Sequence, residues 1–204
     1  MHSPDYNMSV NPQETLNQNL IQFASLEEHD IDLASSLWSH RKIARNEFFN
    51  FRNSVCKQIG FIVKGLFRVY YVDMETGMEH NFYFIPENTF LVSLKSFLTQ
   101  TACPYYIEAL EDSELMVISH ENLLSLYPKS HAWERFGRLL AELYYVYSQS
   151  KSEGLLMMSA EERYLALLSE FPEIVNRVSL GHIASYLGIK GPSLSRIRAQ
   201  MAGR

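Results

Sequence analysis

Six side chains near the end of the 204-residue chain have the types and spacing that read a nucleic-acid surface: Lys190, Ser193, Ser195, Arg196, Arg198 and Gln200. Guanidinium groups bond guanine edges in pairs, hydroxyls and amides bond several bases, and ammonium groups meet phosphates. Leu194, Ile197 and Met201 recur among them at steps of three and four. At 3.6 residues per turn that stripe is one buried side of a helix, with Arg196 and Ala199 opposite it and Ser195 and Gln200 flanking. From Ser179 to Arg204 there are four cations (Lys190, Arg196, Arg198, Arg204) and no acid, while the whole chain has a net charge of −5, so the residues before Ser179 carry −9. An otherwise acidic chain is therefore cationic at one end only, where a polyanion would be tolerated.

A helix that reads needs a second to hold it. Leu180, Ile183, Ala184 and Leu187 fall at i, i+3, i+4 and i+7, and Ser179 stands at the N-cap position. Gly188 follows at once, where a left-handed residue ends a helix, and Pro192 sits at the start of the next helix, where its missing N–H costs nothing. The pair reads as a helix-turn-helix; a purely structural helical hairpin is the alternative.

The preceding chain supplies a core. Hydrophobic residues make up 47% and aromatics 13%, enough for globular folding. No uncharged apolar run approaches the ~18 residues of a membrane span, and Met1-His-Ser-Pro-Asp is unlike a signal peptide, so a soluble, cytoplasmic protein is expected. Residues 1 to about 12 read as a loose tail, Glu14 to Phe23 as a helix, and Ser25-Leu-Glu-Glu28 as a capping box opening a helix through Ile31, Ala34, Leu37 and Trp38. From Arg41 to Ser119 short β-branched and aromatic runs alternate with turns, which predicts a sandwich or jelly roll. Leu91 to Phe97 interrupts it with a helical turn that either covers a pocket or plugs the core. Tyr70, Tyr83, Tyr105 and Tyr106 are either pocket lining or core.

After a short helical piece, Glu121 to Tyr127, a long helix is expected from about 130 to 152. Trp133, Phe136, Leu140, Leu143 and Tyr147 form a heptad seam along it, read as a two-chain coiled coil with packing on its own β domain as the alternative. Residues 151–159 read as a hinge, and Ser159-Ala-Glu-Glu162 as the capping box of a further helix ended by Pro172.

Phe61-Ile-Val-Lys-Gly-Leu-Phe-Arg68, Tyr106-Ile-Glu-Ala-Leu-Glu-Asp-Ser113, Ile183-Ala-Ser-Tyr-Leu-Gly-Ile189 and Ser193-Leu-Ser-Arg-Ile197 together resemble the cyclic-AMP receptor / fumarate-nitrate regulator (Crp/Fnr) family of bacterial transcription factors. The resemblance implies an α+β chain: a double-stranded β-helix (jelly-roll) sensor over 1–128, a dimerisation helix over 129–154, and a winged helix-turn-helix over 155–204. It implies a homodimer on double-stranded DNA, RNA polymerase as a further partner, and an unidentified small-molecule effector. Nucleotide-binding members hold the ribose with Gly-Glu and the cyclic phosphate with Arg-Ser. Here Asn88-Thr89 and Cys103-Pro104, next to Tyr105, stand at those places, so the resemblance implies a degenerate pocket that does not take cyclic AMP. Gly191-Pro192 likewise replaces the pair that carries the family's glutamate for cytosine, while Arg196 is kept.

Other chemistries fit less well. Cys56 and Cys103 have no CxxC spacing, and no His-x-His or His-Glu-x-x-His occurs, so neither metal nor cofactor is expected. His80 is a lone histidine beside Glu79, which speaks against a cupin-type enzyme. The remaining alternative is a sensing module whose helical tail binds a protein rather than DNA.

Overall fold

The computed structural model describes residues 11–202. Asn11 accepts from the Gln13 N–H and Pro12 supplies the first turn of α1 (Pro12–Ala24). The loose tail expected before it lies, apart from Asn11 and Pro12, outside the described residues. Ser25 does not cap the next helix; at φ 50° it ends α1, and its N–H bonds the Ile21 carbonyl. The capping box of α2 (Glu28–Ala34) is Glu27 with Asp30. That helix stops at Ala34, and Trp38 belongs to the strand that follows.

The strands are β1 (Trp38–Ile43), β2 (Phe48–Asn50), β3 (Gln58–Lys64), β4 (Phe67–Val72), β5 (Glu79–Ile85), β6 (Phe90–Leu91), β7 (Tyr106–Ala109) and β8 (Ser113–Ser119), with α3 (Leu94–Thr99) after β6. They form two antiparallel four-stranded sheets, ordered β1-β8-β3-β6 and β2-β7-β4-β5. Period-two alternation turns Phe61, Phe67, Ile107 and Leu115 into the shared core. Gly65 makes the β3–β4 connection at φ +111°, where a Cβ would lie 2.1 Å from Ser113 Oγ. The interruption at Leu91 to Phe97 is thus a short strand followed by a helix.

Next come α4 (His120–Leu126), α5 (His131–Met157), α6 (Ala160–Glu170), α7 (Ile174–Arg177), α8 (Leu180–Tyr186) and α9 (Gly191–Ala202). α5 runs through most of the expected hinge, and the Ser159–Glu162 capping box opens α6 as the sequence predicts.

The seam read along α5 is corrected by the packing. Trp133, Phe136 and Leu140 are buried at 0%, 0% and 1% exposure inside their own chain, leaving nothing to offer a partner. Phe136 meets Phe90 and Phe23 edge-on at 5.0 and 5.9 Å, and the Trp133 Nε1–H donates to the Asp30 carbonyl at 2.8 Å. Arg135 reaches over the end of α1, its Nε–H and Nη2–H bonding the carbonyls of Ala24 and Ser25. The first half of α5 is thus a wall of the β domain. Leu143 is half-buried and Tyr147 exposed; Leu139 packs partly on the same core, and Val146, which follows Leu143 on that side of the helix, is 56% exposed.

Candidate nucleic-acid interface and effector pocket

The helix pair is built as its residue types require. Ser179 Oγ accepts the His182 N–H at 3.2 Å, Ile183, Ala184 and Leu187 are buried, and Gly188 turns the chain at φ +68°. α9 buries Leu194 and half-buries Ile197 and Met201. On its other side Lys190, Ser195, Arg196, Arg198 and Gln200 are exposed, with Ser193 half-buried. Among the described residues no ion pair engages Lys190, Arg196 or Arg198, so their charge faces outward. Arg204 lies outside the described residues. No strand follows β8 among the described residues, so the expected wing is not part of this architecture as described.

The five residues read as a degenerate pocket come from two segments of the β domain. Asn88, left-handed at φ 60°, donates its backbone N–H to the Ile62 carbonyl of β3, and the Thr89 hydroxyl donates to the Pro86 carbonyl, which ties the turn from β5 to β6 to β3 and closes it on itself. Cys103 is buried, its thiol 3.0 Å from Ser93 Oγ. Pro104 and Tyr105 line an opening, a cleft of about 410 Å³ shared with Arg52, Tyr71, Val72 and Phe82. Phe82 is the extra residue of a β-bulge opposite Val69 and Tyr70, which turns its ring onto Tyr71 at 5.3 Å and Tyr105 at 4.9 Å. Arg52 Nη1 touches the Met74 sulfur and no carboxylate among the described residues. Sequence reading missed Arg52, Tyr71 and Phe82, because only folding brings these separated segments to one mouth.

A second cluster, also absent from the sequence reading, joins the β domain to the helix pair. Arg68 is 5% exposed. Its Nε–H and Nη2–H donate to Glu108 Oε2 at 2.9 and 2.6 Å, and its Nη1 reaches Glu79 Oε2 at 2.5 Å and His182 Nε2 at 3.0 Å. The guanidinium lies 3.9 Å from the Tyr70 ring centroid, and Tyr70 stacks on Tyr106. Burial works to lower the Arg68 pKa, but the bonds to and charges of Glu79 and Glu108 outweigh it and leave it raised; burial and then the Glu108 charge push the Tyr70 phenol up. His182 is lowered by burial and by the Arg68 charge, against the pull of Glu79 and Glu108. Leu66 and Phe84 from the β domain complete the apolar core of the helical unit.

Two further contacts fix that unit. Arg177 makes a two-pronged pair with Glu87 at 2.7 and 2.9 Å and also bonds Glu111. Lys151 Nζ donates to the Tyr186 carbonyl at 2.7 Å and sits 3.2 Å from that ring's centroid. Burial, reinforced by the Arg163 charge and opposed by Glu170, brings the Lys151 pKa down to about 7.

Residues 40–130 match the cyclic nucleotide-binding domain family. No curated protein matches the chain in sequence. Among solved structures the chain resembles FixK2 from Bradyrhizobium japonicum at 15% identity and TM-score 0.72, covering 81% of this chain and 85% of that one. A protein described as a transcriptional regulator of the Crp/Fnr family from Eubacterium rectale gives 18% identity and TM-score 0.69, with 88% and 85% covered. The Thermus thermophilus catabolite activator protein gives 19% identity and TM-score 0.56, with 91% and 87% covered. Among the described residues no helix is long and apolar enough to cross a membrane. Residues 40–130 thus match the cyclic nucleotide-binding domain family, and the chain has the fold seen in these solved regulators, the Crp/Fnr-family protein among them.

Proposed function

We propose that the chain is a cytoplasmic, homodimeric, sequence-specific DNA-binding transcription regulator, not an enzyme, that meets RNA polymerase and answers to a small-molecule effector other than cyclic AMP. The observation that carries this reading is the face of α9: Lys190, Arg196 and Arg198 exposed, unpaired by any acid among the described residues, and set beyond a left-handed glycine turn. Two copies would place two such helices in successive major grooves about 34 Å apart. Lys190 and Arg198 are assigned to phosphates and Arg196 to a guanine edge, with Ser193, Ser195 and Gln200 beside it.

Arg196→Ala is expected to weaken binding to the cognate site by about 1–3 kcal/mol and to blur sequence preference at one position of each half-site. Selection of bound sites from a random duplex pool, followed by titration of wild type and variant at one fixed salt concentration, measures both. An equal loss on random duplexes would remove Arg196 from base reading. The alternative, a tail that binds a protein, predicts no shift of any duplex even at low ionic strength.

The effector side rests on Asn88, Thr89 and Cys103, which offer neither a carboxylate for a ribose nor a cation for a cyclic phosphate. An unpaired buried phosphate costs several kcal/mol, so calorimetry with cyclic AMP and cyclic GMP should show no heat of binding at micromolar ligand. Micromolar affinity for either would overturn this part. An effector entering the Tyr105 cleft meets the rings of Tyr71, Phe82 and Tyr105 and the Arg52 guanidinium instead.

A further inference from the structure

β5 is the outer strand of its sheet, and one edge of it lacks a strand neighbour. Such an edge leaves N–H and C=O groups unpaired unless something covers it. α8 covers it: the Ser185 hydroxyl donates to the Glu79 carbonyl at 2.7 Å and accepts the Asn81 N–H at 3.0 Å. Three residues earlier on α8, His182 meets Arg68 at 3.0 Å.

The chemistry of that last contact has one solution. A guanidinium only donates, so His182 Nε2 is the acceptor, and the ring must be neutral with its proton on Nδ1. We infer that the Arg68–His182 contact is a proton-sensitive latch, which holds the first helix of the helix-turn-helix against the sensor sheet and lets go when His182 takes a second proton.

The charged groups facing His182 are Arg68 from β4, Glu79 from β5, with its Oε2 4.0 Å away, and Glu108 from β7. Glu108 is held by two Arg68 N–H groups, and the nearest oxygen of Glu79 already accepts from Arg68 Nη1. A protonated ring would therefore turn an N–H toward the Arg68 N–H, its nearest neighbour. The carboxylates favour the added proton, but burial and the guanidinium outweigh them in the docked state. Asn81 Oδ1 is buried there without a partner, a cost that water relieves on release, so the contact is not overwhelmingly favourable.

The sign follows from linkage. Docking lowers the His182 pKa below its free value of 6.5, so the docked form is favoured above that pH and loses ground as pH falls through it. Between the free and the docked pKa, docking weakens by at most about tenfold per pH unit, and below the docked value it weakens no further. β4 also carries Tyr71 of the cleft, and Tyr105 directly precedes β7, both at positions that alternate with Arg68 and Glu108, so latch and cleft stand back to back on one sheet.

The test is amide hydrogen exchange of the full chain between pH 7.5 and 5.5, corrected for intrinsic exchange and read at Asn81 and at β8. Protection at Asn81 should fall, by up to about tenfold, in the wild type while β8 stays protected. His182→Gln keeps a neutral acceptor for Arg68, so its Asn81 protection should stay flat. Constant protection in the wild type, an equal fall in His182→Gln, or a fall that β8 shares would each overturn the latch. None of these readouts uses DNA, so the latch and the DNA-binding reading stand or fall separately.

Discussion

Trp133→Ala is expected to destabilise the chain by about 3–5 kcal/mol, the range for emptying a fully buried aromatic site. The indole has 0% exposure, packs edge-on against Phe136 at 5.5 Å, and its Nε1–H satisfies the Asp30 carbonyl. Removing it opens a cavity between α5 and the α1–α2 lead-in and takes one hydrogen-bond donor from that carbonyl, worth about 0.5–1.5 kcal/mol. Part of the cost overlaps, since both losses occur at one site. Urea unfolding at two protein concentrations checks it: the midpoint should drop by the same amount at both. Were Trp133 a knob in a two-chain seam, the variant would instead make stability depend steeply on concentration.

That residue also marks the limit of what the sequence discloses. A heptad stripe records that one side of a helix is covered, and it looks the same whether the cover is a second helix or the chain's own sheet. Trp133, Phe136 and Leu140 face Phe23 and Phe90, contributed by segments far away in the sequence, and nothing local to α5 announces them. Local chemistry was legible: Ser159 with Glu162, Ser179, and Gly188 act within a few residues of themselves and all appear as their types predict. β1 was harder, because Trp-Ser-His-Arg-Lys-Ile buries only its two ends and pairs with β8 through backbone groups that any side chain supplies. The proposed effector site was half legible. That Asn88, Thr89 and Cys103 offer neither carboxylate nor cation is plain in the sequence, but a bulge at Phe82 and the fold of the β2–β3 connection bring the Tyr105 cleft together. Arg68 and His182 are 114 residues apart and meet only after both units have folded.

Leu143→Glu with Val146→Glu is expected to cut affinity for a full two-half-site duplex by at least about a hundredfold while changing fold stability by less than about 1 kcal/mol. On α5 Leu143 is half-buried and Val146 is 56% exposed. Apolar side chains at steps of three and four on an exposed helix face suit a second copy, which would bury Leu139, Leu143 and Val146 together. Glutamates at two of these positions would place like charges opposite one another in an apolar seam and favour the monomer. A monomer holds one half-site; a dimer binds the second at an effective concentration set by its own geometry, worth roughly 10²–10⁴ in affinity. Sedimentation and duplex titration of the same samples separate the steps. A monomeric variant that still binds a single half-site as wild-type protomers do would assign the loss to pairing alone, whereas a variant that stays dimeric and binds normally would move the interface off α5.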